Sequence, residues 1–470
     1  MSASPELHAP PGAVELREDV PLKGGGARLC GSGAGGPRAV LAAFGALSLA
    51  VTVALLTQIH YGDYQVVPHG SVSTSAAPCS AAGADALRRG GRAVDAAVAA
   101  ALCLAVLAPH RTSLDASGAM IYWEYRSSRS QLPVQAEWGG PEEAAGAAGA
   151  AGAAGAAGAA GAAGAGGARP PRLVAALAAL HARYGALPWG DALRPAAELA
   201  RVGYAVSVRL AAAAAARGLP GYLPAAPRAE PALADYLDSL RHNTSSELCA
   251  AWSCSRAVRW AERAAARAGG WRVWGAGAGG AAGAAALQAA LGANLTGVDA
   301  VLQRVTLWVR SVVSSLQRQA AGAARWPGGV AAGLAVVDPR DTYVALVSGL
   351  STAFGSAASE GGAWARDEPD APLQLAPAVL AEERVCGARY VLGAESAAAL
   401  AQGAAALLRA GGGAAAAERA RLLVGAGGRA LPEPTAPDAP QPAALNWVRQ
   451  SGDALLSHAD SRGGGVASRF

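Results

Sequence analysis

The sequence predicts a mixed α/β ectodomain behind a single membrane-spanning helix. Three observations carry that prediction. Residues 39–59 hold no charged side chain, and about 20 apolar residues suffice to cross a bilayer. Residues 79–108 read as two Ala-rich helices broken at Gly90-Gly91, with a strand following from Met120 to Tyr125. Leu334 to Asp338, Tyr343 to Ser348 and Arg389 to Gly393 are short β runs, the first two joined by a turn at Asp338-Pro339-Arg340-Asp341, and an Ala/Leu helix follows over 396–410.

Each element has its own reason. Residues 1–38 are rich in Gly, Pro and charge, the signature of a disordered tail. Lys23, Arg28 and Arg38 precede the apolar run, and the next basic residue is Arg88. Positive charge stays cytoplasmic, so the expected topology is type II, with residues 60–470 luminal or extracellular. The run is too long and starts too far from Met1 for a cleaved signal peptide. Two glycosylation sequons, at Asn243 and Asn294, fall beyond it. Residues 60–78 read as a stalk entering a strand, and Asp95 opens the second helix of the 79–108 pair. Residues 144–167 repeat Ala-Ala-Gly. Glycine at every third position opposes a helix by roughly 1 kcal/mol each relative to Ala, and without Pro the tract is not collagen; it reads as a flexible linker. Residues 172–217 are helical around a turn at Tyr184-Gly185-Ala186-Leu187-Pro188-Trp189, with Pro195 opening a helix and Gly203 closing one. Residues 218–290 read as irregular. Residues 297–321 form an amphipathic helix with Val301, Val305, Trp308 and Val312 on one stripe.

The chain has 470 residues, 52% of them apolar, but it has three Phe and a single Lys, and its net charge is +5. Ala and Gly supply much of the apolar fraction, so core volume per residue is low. Arginine is scattered rather than interleaved with aromatics on one face, which excludes a nucleic-acid interface. Of the six cysteines, Cys30 lies on the cytoplasmic side, where it is either a palmitoylation site or an unmodified thiol. Cys249 and Cys254 are spaced to close a small loop, and Cys386 is left over. With no Cys-x-x-Cys and no accompanying His cluster, no zinc site is expected, and no cofactor or other metal is implied.

Several motifs carry a resemblance. Gly90-Gly91-Arg92-Ala93-Val94-Asp95-Ala96-Ala97-Val98-Ala99 lies between Cys79 and His110. Tyr184-Gly185-Ala186-Leu187-Pro188-Trp189 is followed by Pro195-Ala196-Ala197-Glu198-Leu199-Ala200-Arg201-Val202-Gly203-Tyr204. Val336-Val337-Asp338 and Phe354-Gly355-Ser356 come later. In this order they resemble the γ-glutamyltransferase (glutathione hydrolase) family, and the span followed by Gln58-Ile59-His60-Tyr61-Gly62-Asp63 is similar to its membrane-anchored branch. The resemblance implies an αββα N-terminal-nucleophile hydrolase-like sandwich, a large-subunit-like region over 60–326 and a small-subunit-like region over 327–470. It also implies a Cys79–Cys103 disulfide, with glutathione or another γ-glutamyl compound as substrate if the chain is active.

Members of that family cleave themselves, and the freed N-terminal Thr attacks the γ-glutamyl carbonyl, its own amine serving as base. Val336-Val337-Asp338 sets the register and places Ala331 at the nucleophile position, after Val330. Ala331 has no hydroxyl. Thr342, the nearest Thr downstream, lies after the turn with its amine in a peptide bond. Of the family's next element only Ser348 survives; its supporting hydroxyl falls on Gly349 and its substrate-holding Asn on Ser351. Glu368 matches the first of two acids that bind the substrate amine, while the second falls on Ala371. The oxyanion-hole glycines fall near Ser396 and Ala397. Glu137 stands where the family's carboxylate-clamping Arg belongs, which reverses the charge. The resemblance thus implies a family member with a degenerate active site. The alternative is a non-catalytic, membrane-anchored interaction ectodomain, for which no motif names a protein partner.

Overall fold

The computed structural model describes residues 36–61, 69–126, 132–139, 170–292, 298–319, 329–356, 359–360, 364–369, 373–384, 386–409, 411–419, 421–424, 430–433 and 443–470. Residues 1–35 of the expected tail, Cys30, the Ala-Ala-Gly linker, Asn294 and Ala371 lie outside the described residues. The chain divides into two compact units, Met1–Gln65 and Val66–Phe470. The first contains α1 (Gly36–Tyr61), whose Arg38–Thr57 segment is long and apolar enough to cross a membrane.

The second unit is built on two antiparallel sheets. The first sheet combines β1 (Ser71–Thr74), β2 (Ser117–Glu124), β3 (Val134–Trp138), β4 (Arg259–Glu262), β7 (Val330–Val337), β8 (Thr342–Leu350) and β13 (Ser468–Arg469). Its order is β13-β1-β7-β8-β2-β3-β4. The second combines β5 (Ala266–Ala268), β6 (Trp271–Gly275), β9 (Ala376–Glu382), β10 (Arg389–Ala394), β11 (Leu445–Ser451) and β12 (Ala454–His458), in the order β12-β11-β10-β9-β6-β5. Strands from before residue 276 and after residue 329 interleave in the first sheet and meet at the β9–β6 pair in the second.

Alternation along the central strands assigns the layers. On β7, Ala332, Leu334 and Val336 join the helix-side core, while Ala331, Ala335 and Val337 join a core between the sheets. On β8, Val344 and Leu346 face the helices and Tyr343, Ala345 and Val347 face the other sheet. Both faces are buried, which is why these strands read as unbroken apolar runs. Helices α2 (Ala77–Arg88), α3 (Ala93–Leu107), α4 (Arg172–Tyr184), α5 (Trp189–Val202), α6 (Val208–Ala216), α7 (Pro231–Arg241) and α8 (Ser245–Trp252) share the core outside the first sheet. Helices α9 (Gly277–Gly292), α10 (Val298–Gln319) and α11 (Ala397–Arg409) share the core outside the second. The architecture is an αββα sandwich.

Asp95 anchors the first helical layer. It is fully buried and sits third in α3 rather than opening it. Its carboxylate accepts from the Arg92 N–H at 2.7 Å, completing a capping box. It also accepts from the Ala186 and Leu187 N–H groups of the α4–α5 turn at 3.0 and 3.3 Å. His181 Nε2 stands 3.1 Å away, and His181 Nδ1 lies 2.9 Å from Ser245 Oγ. Burial pushes the Asp95 pKa up, but His181 and the backbone donors outweigh it and hold the carboxyl below its ordinary value.

Several expectations are corrected. Pro195 is the seventh residue of α5 and does not open it; lacking an N–H, it forgoes the bond to the Asp191 carbonyl. Gly203 does close α5, at φ 97°. Residues 218–290 are structured, holding α7, α8, β4, β5, β6 and α9. Trp308 is more than a third exposed, and the buried stripe of α10 runs through Val301, Leu302, Val305 and Val309. The Cys79–Cys103 disulfide is present, with Cα atoms 5.3 Å apart, tying α2 to α3. A second joins Cys249 and Cys254, and Cys386 is free.

Two stability predictions follow from this layer. Asp95→Ala should destabilise the chain by about 3 kcal/mol, because it orphans several buried donors at once. A depressed folded pKa means this contribution is complete above the ordinary carboxylate range and is lost as pH falls through the lower folded value. Urea unfolding from pH 6 downward should therefore show an acid limb that Asp95→Asn flattens. Replacing Cys79 and Cys103 by Ala, which opens a loop of sequence separation 24, should cost about 3 kcal/mol in the chain-entropy model. An unfolding midpoint unmoved by the double replacement would contradict this.

Candidate active site

The site lies where the two sheets approach most closely. Ala331 is the second residue of β7, pairs with Gly349 of β8, and is 5% exposed. Its methyl points between the sheets and lines a cavity of about 100 Å³ together with Leu373, Leu375, Glu395 and Ser396. Thr342 begins β8, at the end remote from Gly349.

The surviving hydroxyls are all engaged. Ser348 pairs with Ala332, so it faces the helices rather than the cavity, and its Oγ is 2.7 Å from Thr112 Oγ1. Ser396 accepts from the Ala399 N–H at 3.1 Å, capping α11. Ser351 donates its N–H and Oγ–H to Asp367, at 3.0 and 2.5 Å.

Asp367 was not singled out by the sequence; its neighbour Glu368 was. The structure buries Asp367 fully and leaves Glu368 exposed and outside both cavities. The Asp367 N–H donates to Asp115 at 3.1 Å, and Asp115 in turn pairs with Arg172 at 3.3 Å. The Arg172 guanidinium also reaches the Asp367 carbonyl. Burial raises the Asp367 pKa, against the lowering effect of Ser351. This set of bonds fixes the chain leaving β8.

A second network lies behind Ala331. Glu395 accepts from Ser75 Oγ at 3.0 Å and the Ala444 N–H at 2.7 Å, and it pairs with the Arg111 guanidinium. Asn446, fully buried, donates to Ser75 Oγ at 2.9 Å and to the Gly333 carbonyl at 2.7 Å. His110 packs 6.2 Å from Phe354. Burial, with Arg111 and Arg209 nearby, pulls its pKa down to about 3, so it is neutral at physiological pH.

Glu137 does not present a bare negative charge. It accepts from the Gly277 N–H at 3.1 Å and pairs with Arg259 at 3.4 Å and Arg263 at 3.8 Å. Those arginines come from β4 and the residue after it, inside the region that reads as irregular. Among the described residues no group of three His, Cys, Asp or Glu side chains could hold a metal.

The four-layer architecture is shared with solved structures. Cephalosporin acylase from Bacillus halodurans superimposes with a TM-score of 0.61 over 86% of this chain and 96% of its own, at 17% identity. The likeness is one of fold. Residues 79–237 match the gamma-glutamyltranspeptidase family model. Over 165 residues the chain is 36% identical to glutathione hydrolase 7 of Bos taurus, covering 35% of this chain and 24% of that protein. It is likewise 36% identical over 165 residues to glutathione hydrolase 6 of Rattus norvegicus, covering 28% of that protein. The matched stretch spans about a quarter of the length of these relatives.

The two acids can be told apart by mutation. Glu395→Ala should destabilise the chain by about 3 kcal/mol or more, because it leaves Arg111 without its buried partner. Glu368→Ala should stay within about 0.5 kcal/mol of the parent. Equal unfolding midpoints for the two variants would contradict the assignment.

Proposed function

We propose that this chain is a membrane-anchored glutathione hydrolase relative that neither cleaves itself nor turns over γ-glutamyl substrates. One observation carries the reading. In the proposed register the nucleophile position is Ala331, whose side chain in the cavity between the sheets is a methyl group. Self-cleavage needs a hydroxyl there to attack the Val330 carbonyl, and acyl transfer needs the same hydroxyl beside a free amine. Among the described residues nothing nearby substitutes. Ser348 faces the other side of the sheet, Ser396 caps α11, and Ser351 is held by Asp367. In this reading Ser348, Ser351 and Glu368 are remnants of substrate binding, and Glu137 marks the lost carboxylate clamp. The regions 60–326 and 327–470 then correspond to large and small subunits that remain one polypeptide.

The anchor belongs to the same proposal. The apolar α1, with basic residues before it and none until Arg88 after it, supports a type II topology. Asn243 is then a luminal or extracellular sequon, as is Asn294.

Purified full-length protein should run as one unbroken chain on a denaturing gel and release no anilide from a chromogenic γ-glutamyl anilide. Turnover that tracks the protein through purification would overturn the reading. Glycosidase should increase its mobility; no shift, with the C-terminus open to protease from the cytosol, would overturn the topology.

A further inference from the structure

A larger cavity, of about 470 Å³, is lined by residues of β2, β3, β4 and α9. Its charged lining residues are Glu137, Arg259 and Arg263. Among the described lining residues two guanidiniums face one carboxylate. Both arginines are more than half exposed, so they are open to an incoming anion. The wall opposite is apolar, formed by Ala278, Ala281, Ala282 and Ala285 of α9 with Leu373 and Leu375.

The floor carries an unmet hydrogen bond. Ser117 is 4% exposed, lines the cavity, and its Oγ has no hydrogen-bond partner among the described residues. Buried hydroxyls are normally satisfied, so an orphan at a cavity wall calls for a partner that is not part of the chain. Gly139 keeps the position open: a Cβ there would fall 2.4 Å from that oxygen, and its φ of +71° favours glycine. Register relates the polar groups. Ala119 pairs with Glu137 and Glu137 with Arg259, and Ser117 lies two residues before Ala119 on the same face. Two strand spacings across and two residues along therefore separate the Cα atoms of Ser117 and Arg259, roughly 12 Å.

We propose that this cavity binds a small organic carboxylate: an anionic group at the Arg259–Arg263 rim, an apolar body along the alanine face of α9, and an amide or other polar group within reach of Ser117. The site stands on the cavity alone and does not depend on what Ala331 can do. Acylated amino acids have this layout, with a carboxylate, an amide and an apolar acyl group.

The test uses hippurate (N-benzoylglycine) and its uncharged analogue hippuramide, titrated calorimetrically into the full chain in detergent. Hippurate should bind at one site, with hippuramide at least tenfold weaker. Arg259→Gln with Arg263→Gln should weaken hippurate tenfold or more, Ser117→Ala threefold or more, and Ala281→Leu should block the cavity. Glu137→Gln should act in the opposite sense and strengthen hippurate, because it removes the competing carboxylate while keeping an acceptor for the Gly277 N–H. If any variant fails to fold, the parent still decides, since hippurate affinity should fall with added salt and hippuramide affinity should not. No hippurate binding, equal binding of the two probes, or hippurate affinity indifferent to both salt and the arginine pair would overturn the proposal.

Discussion

Backbone contact between the two sheets at Gly333 and Gly393 is the constraint on which the rest of the sandwich depends. A Cβ added to Gly333 would lie 2.5 Å from the Gly393 carbonyl oxygen, and one added to Gly393 would lie 2.4 Å from that of Leu334. No side chain fits between the strands there. Sheets packed face to face ordinarily stand about 10 Å apart, so β7 and β10 touch where their neighbours are held apart by side chains. Asn446 bonds across this point to the Gly333 carbonyl and to Ser75. The seam thus draws together β1, β7, β10 and β11, from distant parts of the chain. Ala331 lies two residues before it, which fixes how deep between the layers that position sits.

How legible this was depends on where each element's signal came from. Strands β7, β8 and β10 were visible because burial on both faces makes them continuous apolar runs. Helices α2 and α3 were visible because Gly90-Gly91 separates them and Cys79 and Cys103 bracket them. Helix α9 was hidden by the residues that make it pack. A Cβ on Gly279 would lie 2.2 Å from the Gln374 carbonyl, and one on Gly283 would lie 2.8 Å from the Leu400 side chain. Tertiary approach demands glycine at those positions, while helix propensity read along the sequence argues against it. Without α9, β4 and its arginines have no frame in the sequence, and Glu137 reads as an isolated charge.

The acids show a second limit. Asp367 and Glu368 are adjacent, and a resemblance with a local gap cannot choose between them. Only the chain path, which turns Asp367 towards Ser351 and Asp115 and leaves Glu368 in solvent, makes the choice. The same holds for Glu395, which the sequence places merely before a helix. Its partners Ser75, Arg111 and Ala444 lie 320, 284 and 49 residues away. Networks closed over such separations leave no periodic trace.

Close contacts also surround position 331. In the proposed register the family's supporting hydroxyl falls on Gly349, directly across the ladder from Ala331. A Cβ at Gly349 would lie 2.6 Å from the Val330 carbonyl oxygen, 2.9 Å from the Leu375 side chain and 3.1 Å from the Ala331 methyl. At this point the ladder leaves no room for a Cβ at 349. A hydroxyl at 349 would press on the carbonyl that self-cleavage must attack, and it would displace the loop that walls the cavity. A side chain at 349 therefore requires Leu375 and the segment before β9 to move, whereas the cavity that Ala331 lines leaves space beside residue 331 itself.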